Sequence, residues 1–324
     1  MTMTINDEDQ DFIKESIGLQ LYLVQKKMEH LKLVEQSLEE MEQKMDNEEE
    51  IDWTQMMNLL HVTNLEKGLV EQYKNASNLD IRIGLHQKYS QNPQPWFEWI
   101  YEQLNLKEKD EVLELGCGTG ELWKNKNLPK NVHVTLSDQS QGMVKDARNY
   151  VGEGKGQISY QMIDCRQIPK EDHSFDKVIA NHVLFYLDDR QQVFNEIKRV
   201  LKQNGTFICS TYGSSHMQEI TKLIKDFDER ITLSDHKLYD VFGLENGEEQ
   251  LKKVFSQVKE IDYEDELLVD QPEPLISYIL SCHGNQHEYL NHRYLEFKDF
   301  VRKKMAAKGV IKITKSAGIF ICKP

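Results

Sequence analysis

Val112-Leu113-Glu114-Leu115-Gly116-Cys117-Gly118-Thr119-Gly120 is the stretch on which the fold turns. Val112, Leu113 and Leu115 have the apolar character of a buried strand. The strand then breaks on three glycines at alternating positions. Glycine has no Cβ, so the backbone can turn tightly there and a ligand can approach the main chain closely. Between a strand and a following helix, at the carboxyl edge of a parallel sheet, such a loop is where α/β folds bind nucleotide-like ligands.

Outward from this loop, strand and helix signals alternate. Glu111–Leu115, Val132–Leu136, Ile158–Ile163, Lys177–Asn181 and Thr206–Thr211 read as strands, with helical stretches at Gly142–Val151 and Arg190–Leu201. The intervening helices exclude a hairpin meander and predict parallel pairing with right-handed crossovers. Beyond Gly213, residues 214–256 and 271–308 read as helical, Val258–Leu268 as a strand and Val310–Cys322 as a last strand. The α/β domain is expected over 76–324, with a ligand-binding half at 76–213, covering helices within 214–308 and a C-terminal strand at 310–322.

The residues around the loop narrow the ligand. A dinucleotide loop, GxGxxG, would place its third glycine at position 121, where this chain has Glu121. A carboxylate at that helix start opposes a pyrophosphate, and Glu114 points the same way, which disfavours a nicotinamide-dependent oxidoreductase. S-adenosylmethionine carries a sulfonium and an ammonium group and no phosphate, so an acidic loop suits it. Eighteen positions beyond Gly120 lies Asp138. An acceptor-only carboxylate there can bridge a ribose diol. Asp138 or Ser140 also fits the N-cap of the following helix. At the end of the third strand, Asp164 can accept from an adenine amino group while the Cys165 backbone serves a ring nitrogen. Asn181 and His182 end the fourth strand and face the same crevice. His182 is a candidate base or wall of the reaction site, and also reads as an ordinary loop histidine.

Together these residues resemble the class I S-adenosylmethionine-dependent methyltransferase family, in particular its small-molecule branch, from about Arg82 to Gly213. The pattern includes the Phe175-Asp176 strand and a Leu201–Gly205 turn into strand five. Gln139 departs from it, since the family often has an apolar residue against adenine there. The resemblance implies a Rossmann-like seven-stranded sheet whose last strand, Val310–Cys322, runs antiparallel beside Val258–Leu268. It further implies that Arg82–Ser90 is a helix over the cofactor, with Arg82 toward the methionine carboxylate and Tyr89 closing over it. The implied cofactor contacts are Arg82, Tyr89, Glu114, Gly116, Cys117, Gly118, Gly120, Asp138, Gln139, Asp164, Cys165 and Asn181, with His182 as the catalytic candidate. Methyl transfer from a sulfonium is an in-line displacement on an activated donor, so alignment supplies much of the acceleration, on the order of 7–11 kcal/mol. A base is needed only where the acceptor must lose a proton. His182, Tyr186, Tyr212 and His216 are the candidates.

The first residues are different in kind. Of the net charge of -14, residues 1–52 hold -10 (15 acidic and 5 basic side chains), leaving -4 for the rest. Such an arm repels phosphate backbones, and no basic stripe appears elsewhere, so nucleic acid is not an expected partner. Residues 12–45 read as one helix with an apolar stripe at Ile17, Leu21, Val24, Met28 and Leu31, resumed after a phase shift at Val34, Leu38, Met41 and Met45. The stripe suits a coiled-coil pairing of two copies or packing on the chain's own domain. Asp46–Asp52 is a charged break, a second helical stretch runs from Trp53 to Lys74, and the boundary of the 1–75 arm falls in Asn75–Asp80. The arm is similar to the dimerisation helix and linker of MerR-type regulators, without their DNA-binding motif. The competing functional reading is therefore a cofactor- or metabolite-sensing module.

Five cysteines, an odd number without dense spacing, and no secretion signal at Met1–Gln10 point to a reducing cytoplasm. No apolar run is long enough to span a bilayer. Cys282, His283, His287 and His292 lie close together, but Gly284 interrupts them and no second ligand pair accompanies them. No metal is expected.

Overall fold

The computed structural model describes residues 81–324 apart from 153–155, 235–236, 283 and 291–292. The N-terminal arm of 1–75, with its expected coiled coil and its likeness to MerR-type regulators, lies outside the described residues.

Seven strands form one sheet in the order β3-β2-β1-β4-β5-β7-β6. They are β1 Glu111–Leu115, β2 His133–Asp138, β3 Ile158–Met162, β4 Phe175–Asn181, β5 Leu201–Tyr212, β6 Gln257–Val269 and β7 Ile311–Lys323. β1 to β5 pair in parallel. β7 lies between β5 and β6, antiparallel to both, as expected of the last strand. The Gln141–Val151 helix links β2 to β3 and the Arg190–Val200 helix links β4 to β5. Each begins at a side-chain cap: Ser140 Oγ accepts from Met143 N at 3.2 Å and Asp189 Oδ1 from Gln192 N at 3.0 Å.

Both faces of the sheet are covered, which is why its central strands are nearly continuous apolar runs. Leu113, Phe207 and Phe320 point into one cluster, with Phe194 and Ile197 from the Arg190–Val200 helix. Their neighbours Val112, Ile208 and Ile319 point into the other, with Ile100, Leu104 and Ala147 from the opposite helical layer. A third cluster joins Leu85 and Tyr89, in the helix at 81–89, to Leu267, Val269 and Ile313 and to helices of the 218–308 region. That region therefore packs with the 81–89 helix over the upper ends of β6 and β7.

Several boundaries differ from the sequence reading. Residues 214–256 are not one helix but Gln218–Phe227, Leu238–Val241 and Leu244–Lys252. Likewise 271–308 divides into Pro272–Leu280, Gln286–Leu290 and Tyr294–Lys308. Gly243 marks one break, since a Cβ there would meet the Tyr239 carbonyl. The expected turn at Leu201–Gly205 is part of β5, but the ladder jumps from Phe175–Leu201 to Lys177–Thr206, so residues 202–205 are extra length in the strand.

Phe320 is fully buried toward the carboxyl end of β7, edge-on to Phe242, and a Cβ on Gly247 opposite would strike its ring. Phe320→Ala is expected to lower unfolding stability by about 3–5 kcal/mol, read by urea denaturation. A loss below about 1 kcal/mol would mean the two helical layers close the gap.

Candidate functional site

β1 and β4 are neighbours whose connections leave in opposite directions, β1 toward β2 and β3, β4 toward β5. The loops after them diverge and open a crevice at the carboxyl ends, the place where open α/β sheets bind ligands. The glycine loop after β1, Asp138 at the end of β2, Asp164 after β3 and Asn181 at the end of β4 all stand on this edge.

The loop is held from β2. Cys117 N donates to Ser137 O at 2.8 Å, and Gly118 N donates to Asp138 Oδ2 at 3.1 Å. Gly116 and Gly120 take the left-handed conformation, with φ of 68° and 81°. A Cβ would collide with Val183 at the first and lie 2.6 Å from Val151 Cγ2 at the second. Packing and backbone both demand glycine at these two positions. After Gly120 the chain enters a single turn of 3-10 helix, Glu121–Trp123.

Asp138 is the best-prepared ligand group. Oδ2 accepts from Gly118 N and Oδ1 from Ser140 N at 2.9 Å. A carboxylate has about four lone-pair positions, so both oxygens keep capacity for further donors. Burial raises its pKa, opposed by the backbone N–H groups it accepts from. Ser140, not Asp138, caps the helix. Asp138 is thus left to the loop and the crevice.

Other predicted residues stand differently from expectation. Glu114 is not a bare negative edge. Its side chain is buried beneath the loop, where Oε2 accepts from Trp123 Nε1 at 2.6 Å, and burial pushes its pKa up to about 8. Asp164 is engaged by Arg166 through Nε and Nη2, at 3.0 Å and 2.7 Å, which holds its pKa below the usual carboxylate range. Any adenine contact there is shared with Arg166. Gln139 is exposed, and Cys117 and Cys165 are thiols whose pKa burial raises. The Asn181 amide oxygen accepts from Ser210 Oγ at 2.5 Å, and the same hydroxyl accepts from His182 N at 2.9 Å. Tyr89 is buried in the third apolar cluster, its hydroxyl without a hydrogen-bond partner. Arg82 acts electrostatically on Tyr186, Tyr212 and Tyr278. Of the cysteine–histidine group, Cys282 donates its thiol to Tyr278 O at 3.4 Å, while His283 and His292 lie outside the described residues.

His182 has a left-handed φ of 56°, a conformation that costs a non-glycine residue roughly 1–2 kcal/mol. The twist delivers its ring into a stack. Trp96 lies on one side, at 5.3 Å between centroids, and Tyr212 on the other, at 4.3 Å. Tyr212 stacks in turn on His216 at 4.3 Å, and His216 on His86 at 5.9 Å. Burial, then His216 and Lys315, drive the His182 pKa down to about 3, and burial and Lys315 do the same to His216. Three of the four base candidates thus meet in one stack, while Tyr186 packs on Phe185 beside it.

The sequence reading missed His86, Trp96 and the buried pair Lys315–Asp265, bonded at 2.9 Å across directly paired positions of β7 and β6. A signal for the pair existed. Lys315 interrupts the inward series Ile311, Ile313, Ala317, Ile319, and Asp265 the series Tyr263, Leu267, Val269. A charge at a core position of an alternating strand calls for a partner. A groove of about 660 Å³ runs between residues 91–93 and the β6–β7 pair; Asp265 and Lys315 line it, and Asp138, Asp164 and Asn181 do not.

Comparison with known proteins agrees with this geometry. Residues 113–209 match the methyltransferase domain family. A ubiquinone/menaquinone biosynthesis C-methyltransferase of Desulfotalea psychrophila is 29% identical over 119 residues, 36% of this chain and 47% of that protein. A malonyl-[acyl-carrier protein] O-methyltransferase of Ilyobacter polytropus is 20% identical over 220 residues, 64% of this chain and 78% of that one. Phosphoethanolamine N-methyltransferase 1 of Zea mays is 27% identical over 168 residues, 52% and 32% of the two chains. The chain spans less than half the length of the first of these relatives. Over residues 113–209 the chain thus matches a methyltransferase domain, and the relatives that share this stretch carry the names of methyltransferases.

The raised Glu114 pKa gives a pH signature. The protonated form is favoured in the folded state, so its contribution is complete below the ordinary carboxylate range and lost as pH rises through about 8. Glu114→Gln keeps an oxygen for Trp123 and removes the titration. Its melting temperature relative to the parent should rise steadily from about pH 5 to about pH 9. A difference independent of pH would place the Glu114 carboxylate in contact with water.

Proposed function

We propose that the chain transfers a methyl group from S-adenosylmethionine to a small-molecule acceptor. The observation that carries this reading is the doubly anchored Asp138 carboxylate beside the glycine loop, at the strand ends flanking the switch point. When bound there, the cofactor supplies an activated methyl group. Asp138 would accept both ribose hydroxyls, the backbone at Gly116, Cys117, Gly118 and Gly120 would line the methionine side, and Arg82 would meet its carboxylate. An ammonium group near Glu114 would favour the charged form of that carboxyl. Asp164, Gln139 and the Cys165 backbone would border the adenine, and Asn181, tied to Ser210, would fix the floor of the crevice. Tyr89 would close the site from the 81–89 helix.

His182 is the residue we place at the acceptor, as a neutral imidazole that receives or orients a hydrogen bond. With a pKa of about 3 it is unprotonated at neutral pH but a weak base, so alignment would contribute more than proton removal. The relatives carry names for C-, O- and N-methylation, which leaves the accepting atom open. The -4 balance outside residues 1–52 and the absence of a basic stripe favour a small acceptor over a nucleic acid. All five cysteines are free, which suits a reducing compartment such as the cytoplasm. Among the described residues no helix is long and apolar enough to cross a membrane.

Calorimetric titration with S-adenosylhomocysteine tests the cofactor site. The parent chain should bind, and Asp138→Ala should lose binding altogether while its melting curve stays cooperative, because the diol would lose its acceptors. Unchanged affinity in that variant would refute the ribose assignment.

A further inference from the structure

The ring stack over the crevice has an unusual hydrogen-bond account. Trp99, Trp96, His182, Tyr212, His216 and His86 follow one another with interplanar angles between 12° and 30°. The inner faces are therefore used on one another. Four polar atoms of this one stack, Trp96 Nε1 and the Nδ1 atoms of His86, His182 and His216, are buried without a hydrogen-bond partner. Each such atom has lost its water without gaining a partner, which is costly. Four together, on rings supplied by the 81–89 helix, the Trp96–Leu104 helix and the segments after β4 and β5, mark a place prepared for a polar ligand rather than an accident of packing.

The charges around the stack select the ligand. Lys315 is buried beside it, with Nζ 5.7 Å from the Trp96 ring centroid and 4.6 Å from that of Tyr263. The carboxylate opposite, Asp265, is saturated. Oδ2 accepts from Ser90 Oγ and Lys315 Nζ, and Oδ1 from the backbone N–H groups of Gln91, Asn92 and Glu266. Flanking carboxylates are engaged too: Glu219 by Thr314 and Glu245 by Ser214 N. A buried ammonium would find no uncommitted anion among these groups, and a charge left unpaired in such a site is costly. Ring faces, which attract cations, are occupied by other rings, while ring edges carry the positive side of the quadrupole and attract oxygen. Trp96 Nε1 offers a donor. His216, held unprotonated by burial and Lys315, is hydrogen-bonded to the Ser316 backbone as well. A neutral imidazole whose one nitrogen donates to a carbonyl keeps the other as an acceptor.

We propose that the unpartnered polar atoms of this stack mark the acceptor subsite and that it takes an oxygen acid with its proton in place, a phenol, enol or carboxylic acid, in preference to an amine. The O–H group donates to the unpartnered Nδ1 of a neutral histidine in the stack and accepts from Trp96 Nε1. The proposal rests on the methyltransferase reading, and names the class of acceptor within it.

The test uses the full chain loaded with S-adenosylhomocysteine. Salicylate, 3,4-dihydroxybenzoate and a 1,3-diketone are titrated by calorimetry against benzylamine, phenethylamine and butylamine. Oxygen acids should bind and amines should not. His216→Phe and Trp96→Phe keep a ring in the stack and remove its polar edge. Each should weaken oxygen-acid binding about tenfold or more, the equivalent of one lost hydrogen bond, while S-adenosylhomocysteine affinity stays as in the parent. Two variants are used so that poor folding of one, seen in its melting curve, leaves the other to decide. Amines binding as tightly as oxygen acids, no oxygen acid binding, or parental affinity in a folded variant would each overturn the proposal. Failure of the unaltered chain to bind S-adenosylhomocysteine would instead strike the methyltransferase reading itself.

Discussion

The parting of β1 and β4 is the constraint from which the rest of this domain follows. Two parallel strands lie side by side, and the chain leaves them in opposite directions, so right-handed crossovers carry the two connections to opposite faces of the sheet. The loops at their carboxyl ends cannot pack against each other, so a crevice remains. Everything that carries chemistry here is arranged around its rim. The glycine loop stands on one side, Asn181 and His182 on the other, and Asp138 at the next strand, its carboxylate bonded to the loop through Gly118 N. One carboxylate therefore both shapes the loop and stays available to a ligand.

A second layer of organisation sits above the crevice. β7 enters against the direction of the parallel strands and pairs with β6 along the full length of both. This long hairpin-like pair carries Asp265 and Lys315 inward at directly opposed positions, where Lys315 reaches the aromatic stack. The ion pair is secured by Ser90, Gln91 and Asn92 at the exit of the 81–89 helix. The stack thus draws on both parts of the sheet: His182 and Tyr212 come from the ends of parallel strands, and Lys315 from the antiparallel pair.

The environment of the rings also explains their titration. No carboxylate partner holds His182 or His216 protonated. They are desolvated, and a buried cation stands nearby, so both effects favour the neutral form. A neutral stack can be buried without counter-ions, which a protonated one could not.

Much of this was legible along the chain. The spacing of Gly116, Gly118 and Gly120, the apolar strand before them and Asp138 beyond them specify a parallel α/β sheet with a glycine loop at its carboxyl edge. Local chemistry is sufficient there: glycine is demanded by backbone and packing, and strand ends recur at crossover intervals. Tertiary structure alone decided the rest. It turned Glu114 under the loop onto Trp123, tied Asp164 to Arg166, and left the helical cap to Ser140. It also brought His86, Trp96, His182, Tyr212 and His216, far apart in the chain, into one stack beside Lys315. No local pattern encodes that meeting. It arises from which strand ends lie adjacent and from one strand running backward, and both are properties of how the whole sheet is wound.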